Sequence, residues 1–226
     1  MKNFSFPEDL KNINDINELN NLSFKIRNEI ISVVSKNGGH LSSNLGVVES
    51  TIAILKVFGG KEDCIVWDVG HQCYTYKILT GRNIESIRTK DGLSGFTSND
   101  ESYYDKFKSG HAGNSISLAL GLSEYKIKEK QNGKVVVFIG DGSMTCGLAY
   151  EGLNNACSSN NLIVILNDNS MSISKNVGSI AKYLSKIRIN NLYWNLKFNT
   201  KHFLNQIPIL GKRINNKFSN LNFKLR

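Results

Sequence analysis

The sequence predicts an α/β fold with a mainly parallel sheet and helices on both of its faces. Three observations carry that expectation. First, two short apolar, β-branched runs at residues 135–139 (VVVFI) and 162–166 (LIVIL) flank one segment of helical period. Strand, helix and strand at these lengths make a βαβ unit, whose strands must run parallel. Second, another short apolar run, residues 64–67 (CIVW), lies upstream between segments of helical period. Third, the chain has 226 residues, 40% of them hydrophobic, and only two prolines. It is long enough to bury a core and too apolar to stay disordered.

Taken in order, residues 1–14 are polar and expected to be poorly tied down. From Asp15 to Lys36 a helical stripe runs through Ile16, Leu19, Leu22, Ile26, Ile30, Val33 and Val34, and Asn37-Gly38-Gly39 ends it. After HLSSNLG, residues 40–46, a second helix is marked by Val48, Thr51, Ile52, Leu55 and Phe58. The 64–67 strand then carries Asp68-Val69-Gly70-His71-Gln72 at its end. Residues 91–105 read as a loop of the kind that carries substrate contacts, and Gly110-His111-Ala112-Gly113 leads into a helix beginning near Asn114.

Gly140-Asp141-Gly142 stops the 135–139 strand. From Thr145 onward, Leu148, Ala149, Gly152, Leu153 and Ala156 share a helical face, ended by Ser158-Ser159-Asn160-Asn161. Asn167-Asp168-Asn169 stops the last strand. Past Gly178 the pattern is helical in patches, at 180–189 and 192–209, broken at Pro208 and Gly211. The expected organisation is an α/β domain over 1–178 and a basic, partly helical segment of the same incomplete domain over 179–226.

Composition excludes several classes. No apolar run approaches a membrane span, and MKNFSFPEDL lacks the features of a signal peptide, so a cytoplasmic protein is expected. Cys64, Cys73, Cys146 and Cys157 show no C-x-x-C spacing; Cys146 and Cys157 fall on one expected helix, and all four read as reduced thiols. The net charge of +9 is localised: from Ser170 onward there are eleven Lys or Arg and no Asp or Glu. These bases are scattered among Leu, Ile, Phe and Asn, which favours a solvated face lacking its acidic partner over a nucleic-acid or membrane contact.

Placement at the sheet edge suggests chemistry. Asp141 and Asn169 each follow a strand, and neighbouring strands lie about 4.8 Å apart. Ligands bind at that edge of open α/β sheets. A carboxylate oxygen and an amide oxygen there suit a hard cation such as Mg²⁺, which takes its remaining ligands from phosphate and water. Gly142 and the N-terminus of the helix that follows would offer backbone N–H groups to the phosphate. The rival doubly wound dinucleotide fold lacks its signature, because G-x-G-x-x-G is absent from the strand-to-helix turns.

GDGSMTCGLAYEGLNNA followed by LNDNSMSISKNVG resembles the thiamine diphosphate motif of the transketolase-like enzymes, and within them the 1-deoxy-D-xylulose-5-phosphate synthase branch. GGHLSSNLGVVE and WDVGHQCYTYKILTGR follow the same pattern. The resemblance covers residues 15–178 closely. It implies thiamine diphosphate and Mg²⁺ as cofactors, the metal held by Asp141, Asn169 and the backbone carbonyl of Met171. It implies further that His40 and His71 transfer protons and position substrate, with His71 beside the diphosphate. Gly110, His111, Ala112, Gly142, Ser143 and Asn169 would complete the cofactor contacts. Two departures stand out. Tyr76 occupies a position where histidine is commoner, and Ala112-Gly113-Asn114 replaces a hydroxyl-bearing Ser-Ser-Thr, leaving backbone contacts to the cofactor.

The resemblance also implies what such an enzyme does: it condenses pyruvate with glyceraldehyde 3-phosphate, with loss of CO₂, on the way to isoprenoid precursors, thiamine and pyridoxal. Relatives of that kind continue into two further domains, the first of which supplies a glutamate that bonds the cofactor's aminopyrimidine ring. The expectation is therefore the N-terminal part of such a synthase, inactive by itself. It would be completed by a separate chain carrying the pyrimidine-binding and C-terminal domains, or act as a homodimer. A transketolase N-terminal half-subunit and a non-catalytic cofactor-binding remnant are the alternatives. A nucleic-acid-binding protein led by the basic tail has no recognised motif behind it.

Overall fold

The computed structural model describes residues 7–168 and, beyond them, Ser179 alone. The chain divides between Asn169 and Ser170, and the elements below belong to the first unit. The boundary expected at 178 and the helical patches at 180–189 and 192–209 lie outside the described residues.

Three strands form one sheet: β1 (Cys64–Trp67), β2 (Val135–Gly140) and β3 (Leu162–Asn167), in the order β1-β2-β3 with both pairings parallel. The two later strands each run one residue past their expected ends. Gly140 and Asn167 read as stops in the sequence, yet they pair with each other. A polar or glycine residue ends an apolar pattern without ending the backbone ladder.

Side chains alternate across the sheet. Ile65, Trp67, Val136 and Phe138 enter a core built with Leu22, Ile26, Ile30 and Val33 of α2 (Ile16–Asn37), Ile52 and Leu55 of α4 (Val48–Phe58), and Leu79 of α5 (Tyr74–Leu79). Between α2 and α4 lies a five-residue helix, α3 (Leu41–Leu45), which periodicity is too coarse to reveal. Val66, Val135, Val137 and Ile139 are equally buried on the opposite face, where α6 (Ser115–Lys128) packs. Helices therefore cover both faces of the parallel sheet. Asp15 caps α2 by accepting from the Asn17 N–H at 2.9 Å, and Gly38 closes it through a bond to the Val34 carbonyl.

Two expectations are corrected. The stretch before Asp15 is not loose from Pro7 onward: α1 (Pro7–Asn12) buries Leu10 completely, and Lys56 of α4 donates to the carbonyls of Leu10 (3.0 Å) and Lys11 (3.2 Å). One apolar residue in a polar hexapeptide shows no period, and this anchoring runs through backbone oxygens. The helix after β2 also differs. A single 3₁₀ turn, Ser143–Thr145, comes first, and α7 (Gly147–Asn155) begins two residues later than expected. Its inward face is Ala149 and Gly152, so Leu148 is exposed. Cys146 and Cys157 flank α7 rather than sharing it, and all four cysteines are free thiols.

Candidate active site

The three parallel strands end along one edge, where Asp68 follows β1, Asp141 follows β2 and Asp168 follows β3. The ladder persists at this edge: Asp68 N–H donates to the Phe138 carbonyl at 2.9 Å, and Asp141 N–H to the Asn167 carbonyl at 3.2 Å. Asp141 is buried at the point where the resemblance expects a metal-binding carboxylate. Asn169 and Met171, the other two expected ligands, lie outside the described residues. Among the described residues, no three His, Cys, Asp or Glu side chains converge as a metal site.

Past β1 the chain turns sharply. Val69 (φ 57°) and Gly70 (φ 83°) both occupy the left-handed region, and Gly70 N–H returns to the Asp68 carbonyl at 2.6 Å. A branched residue rarely sits there, and backbone strain of this kind gathers at functional sites. Gly70 has a second constraint, since a Cβ would lie 2.3 Å from Ser109 Oγ. The turn delivers His71 to His40, which lies between α2 and α3. Their rings are 5.4 Å apart at 71°, and the Phe96 ring stands 6.0 Å from His40.

Nδ1 of each histidine is buried with no hydrogen-bond partner among the described residues. Burial lowers the pKa of both below the ordinary histidine value. The nearby charge of Arg88 lowers His40 further; His40 lowers His71, while Asp68 pulls His71 back up. Both imidazoles are thus held neutral near pH 7, and each has a nitrogen able to accept a proton.

Asp68 lies in the WDVGHQCYTYKILTGR stretch and follows a strand as Asp141 does, but the sequence assigns it no role. Its carboxylate is 1% exposed and accepts from the Gly113 N–H at 3.1 and 3.0 Å, with a longer contact of 3.4 Å to the Ser115 N–H. The β1 turn is thereby tied to the start of α6. Gly113 is locked from its other side too: it has φ 84°, and a Cβ there would lie 2.6 Å from Cys146 Cβ. Any side chain at this position would meet that contact. Gly142 and Ser143 are half-buried directly beyond Asp141, and the 3₁₀ turn that Ser143 opens folds back on Gly142 through Thr145. Gly110, His111 and Ala112 are exposed on the approach to α6.

Residues 91–105 form the expected loop, and buried charges clamp it to α5. Lys77, fully buried, pairs with Glu101 and donates to the Ser94 carbonyl at 2.8 Å. Arg82 grips Asp105 with both Nη atoms, at 2.6 and 3.1 Å. The same carboxylates accept from the loop's own backbone, Glu101 from Ser94 (2.6 Å) and Asp105 from Ser98 (2.8 Å). Tyr76, where histidine is commoner, is buried and donates to the Tyr104 carbonyl at 2.9 Å. Its role is to hold the loop.

These residues fit a bound diphosphate cofactor. The edge has two buried carboxylates, Asp68 and Asp141, each followed by a tight backbone turn, and two histidines with unsatisfied buried nitrogens. The fold is that of the transketolases. A transketolase from Campylobacter jejuni superposes with a TM-score of 0.64 at 21% identity, covering 73% of this chain and 30% of that one. One from Leishmania mexicana gives 0.62 at 21%, covering 74% and 30%.

Sequence comparison narrows the class. The family model described as 1-deoxy-D-xylulose-5-phosphate synthase matches residues 1–226, and the chain belongs to that family. A 1-deoxy-D-xylulose-5-phosphate synthase of Treponema pallidum is 46% identical over 217 residues, 94% of this chain and 34% of that protein. One from Clostridium beijerinckii is 49% identical over 218 residues, 95% and 35% respectively. The chain spans about a third of the length of the curated relatives it matches.

Proposed function

We propose that this chain forms the diphosphate-binding part of a cytoplasmic, thiamine diphosphate-dependent synthase. That enzyme condenses pyruvate with glyceraldehyde 3-phosphate, releasing CO₂ and forming 1-deoxy-D-xylulose 5-phosphate. The observation that carries this reading is the His40–His71 pair, with its buried, unpartnered nitrogens, at the same sheet edge as Asp141. No helix among the described residues is long and apolar enough to cross a membrane.

Asp141 would hold Mg²⁺ through its carboxylate, helped by Asn169 and the Met171 carbonyl, and Gly142 and Ser143 would offer backbone N–H groups to the diphosphate. Gly110, His111 and Ala112 would border the same group. When bound, thiamine diphosphate supplies the nucleophilic carbon that takes up the two-carbon unit of pyruvate. His40 and His71, neutral near pH 7, accept and return protons at the substrate oxygens through their free ring nitrogens. Phe96, in the clamped 91–105 loop, stands against the His40 ring. A separate chain would carry the pyrimidine-binding and C-terminal domains, or the enzyme would act as a homodimer.

Calorimetry with thiamine diphosphate and Mg²⁺ tests the metal assignment: Asp141→Ala abolishes Mg²⁺-dependent binding, and unchanged binding refutes it. Pyruvate and a ketose phosphate, offered in turn to the enzyme reassembled with the missing domains, separate the synthase from a transketolase half-subunit. The transketolase reading draws its support from the shared fold. A reassembled enzyme that turns over neither donor leaves the non-catalytic remnant.

A further inference from the structure

Three hydrogen bonds meet on a side chain that the proposed reaction does not use. Asn44, in α3, is completely buried. Its amide nitrogen donates to the backbone carbonyl of His40 at 2.6 Å and to that of His71 at 2.8 Å. Its amide oxygen accepts from the backbone N–H of Tyr74 at 2.9 Å. An amide nitrogen carries two N–H groups, and both are used. The partners also dictate the orientation of the amide: two carbonyl oxygens require the NH₂ side, and one N–H requires the oxygen.

The three partners come from separate segments. His40 follows α2, His71 lies in the strained turn after β1, and Tyr74 opens α5. Within this group only the Asn44 side chain bonds all three. The two imidazoles differ from it in kind, since each keeps a buried nitrogen without a partner while Asn44 spends every hydrogen-bonding group on the backbone. Neighbouring side chains take no part in this bridge, because Leu41 and Ser42 are exposed and Leu45 packs against the core.

We propose that Asn44 is a positioning residue, which sets the spacing of His40 and His71 by tying together the two backbone segments that carry them. The chemical purpose of that spacing rests on the proposed function; the bonds themselves do not. Carboxylate, aliphatic and hydroxyl side chains do not meet the requirement. A carboxylate of the same shape offers no N–H to either carbonyl, a leucine offers nothing to any of the three, and a serine hydroxyl has one proton for two carbonyls. A displacement of about 1 Å between such groups is enough to lower a rate by about a hundredfold.

The test reads the histidines directly in the full 226-residue chain, which has only four. In the unsubstituted protein, NMR should show slowly exchanging Asn44 side-chain amide protons with couplings across hydrogen bonds to the His40 and His71 carbonyls. A rapidly exchanging amide overturns the proposal. Asn44→Ser and Asn44→Leu, both uncharged, should abolish the Overhauser effect between the His40 and His71 rings. They should also raise both titration midpoints toward the ordinary value of about 6.5, because loosened imidazoles rehydrate. Unchanged ring contacts and midpoints in folded variants overturn the proposal, as does a change confined to one ring. Loss of the fold in both variants makes Asn44 a structural residue and overturns it too. None of these readings needs cofactor or substrate. Titrations that follow Asn44 in a chain unable to bind thiamine diphosphate would sink the functional reading and leave the positioning role standing.

Discussion

Asp68→Asn changes one buried oxygen to an NH₂ group without altering side-chain size. Both oxygens of the native carboxylate are engaged, at 3.1 and 3.0 Å from the Gly113 N–H, and one of them also faces the Ser115 N–H at 3.4 Å. The amide keeps a single acceptor and sets its own N–H groups beside a backbone N–H. A hydrogen bond to a charged acceptor contributes about 1.5–3 kcal/mol, and a buried donor left unpaired costs about 1–3 kcal/mol. The 3.4 Å contact is too long to add much. The two effects overlap, so a stability loss of about 2–3 kcal/mol is expected. Urea unfolding followed by fluorescence should show a lower midpoint at unchanged slope. Trp67, buried and 4.9 Å from the Phe138 ring, is a suitable reporter. A second readout separates this site from a generic core defect. The Asp68 carboxylate favours the imidazolium of His71, so its removal should push the His71 midpoint further down. A loss below about 0.5 kcal/mol with an unmoved His71 midpoint would refute the view that Asp68 joins the two halves of the site.

Lys77→Met leaves Glu101 with the Ser94 N–H and a 3.8 Å contact to Arg82. Breaking a buried pair from one side costs about 3–5 kcal/mol, and the surviving partners place the loss near the lower figure. Hydrogen exchange over residues 94–105 should accelerate at least about tenfold; unchanged exchange would disprove the clamp. Acid should weaken the fold through the histidines. Their folded pKa values are lowered, so between those values and about 6.5 the unfolded chain binds more protons. Stability then falls as pH drops through about 6.5 and levels off below the folded values. The urea midpoint measured from about pH 7.5 to about 5.5 should show this decline and lose it in a His40→Gln/His71→Gln variant; an identical decline in the variant would assign it elsewhere. Finally, these 226 residues alone, supplied with thiamine diphosphate, Mg²⁺, pyruvate and glyceraldehyde 3-phosphate, should form no product, whereas the same mixture with the pyrimidine-binding and C-terminal domains of a family synthase added should. Turnover by the chain alone would mean that the activating groups are all within it.

Much of the fold is legible because its main elements have strong periods. A stripe from Ile16 to Val34 can only be one face of a long helix, and β1 matches its four-residue run to the residue. Errors fall where period carries little information. α1 and α3 are too short to show one. The start of α7 is blurred by a 3₁₀ turn, and its inward face is chosen by close contact with α6 rather than by the largest side chains. Of the candidate site, His40, His71 and Asp141 stand out by their positions after elements and by motif. Asn44, Asp68, Lys77 and Arg82 lie within the resembling stretches and Glu101 and Asp105 in the expected loop, yet none gains a role there, because nothing in a linear string distinguishes a buried charge or amide with partners from a solvated one.

The sequence by itself determined that strands of apolar, β-branched residues would run parallel and end in polar groups at a common edge, since the connection between them is long enough only for a crossover. It also determined which chemistry could collect there: carboxylate, imidazole and backbone amide. Tertiary structure alone decided which of those groups face one another. His40 and His71 are 31 positions apart in the chain, yet their rings lie 5.4 Å apart. They meet because Asn44 bonds the backbone of both and because the Asp68-Val69-Gly70 turn accepts a strained conformation. Burial, which only packing can impose, then lowers their pKa values and makes the pair neutral acceptors at physiological pH.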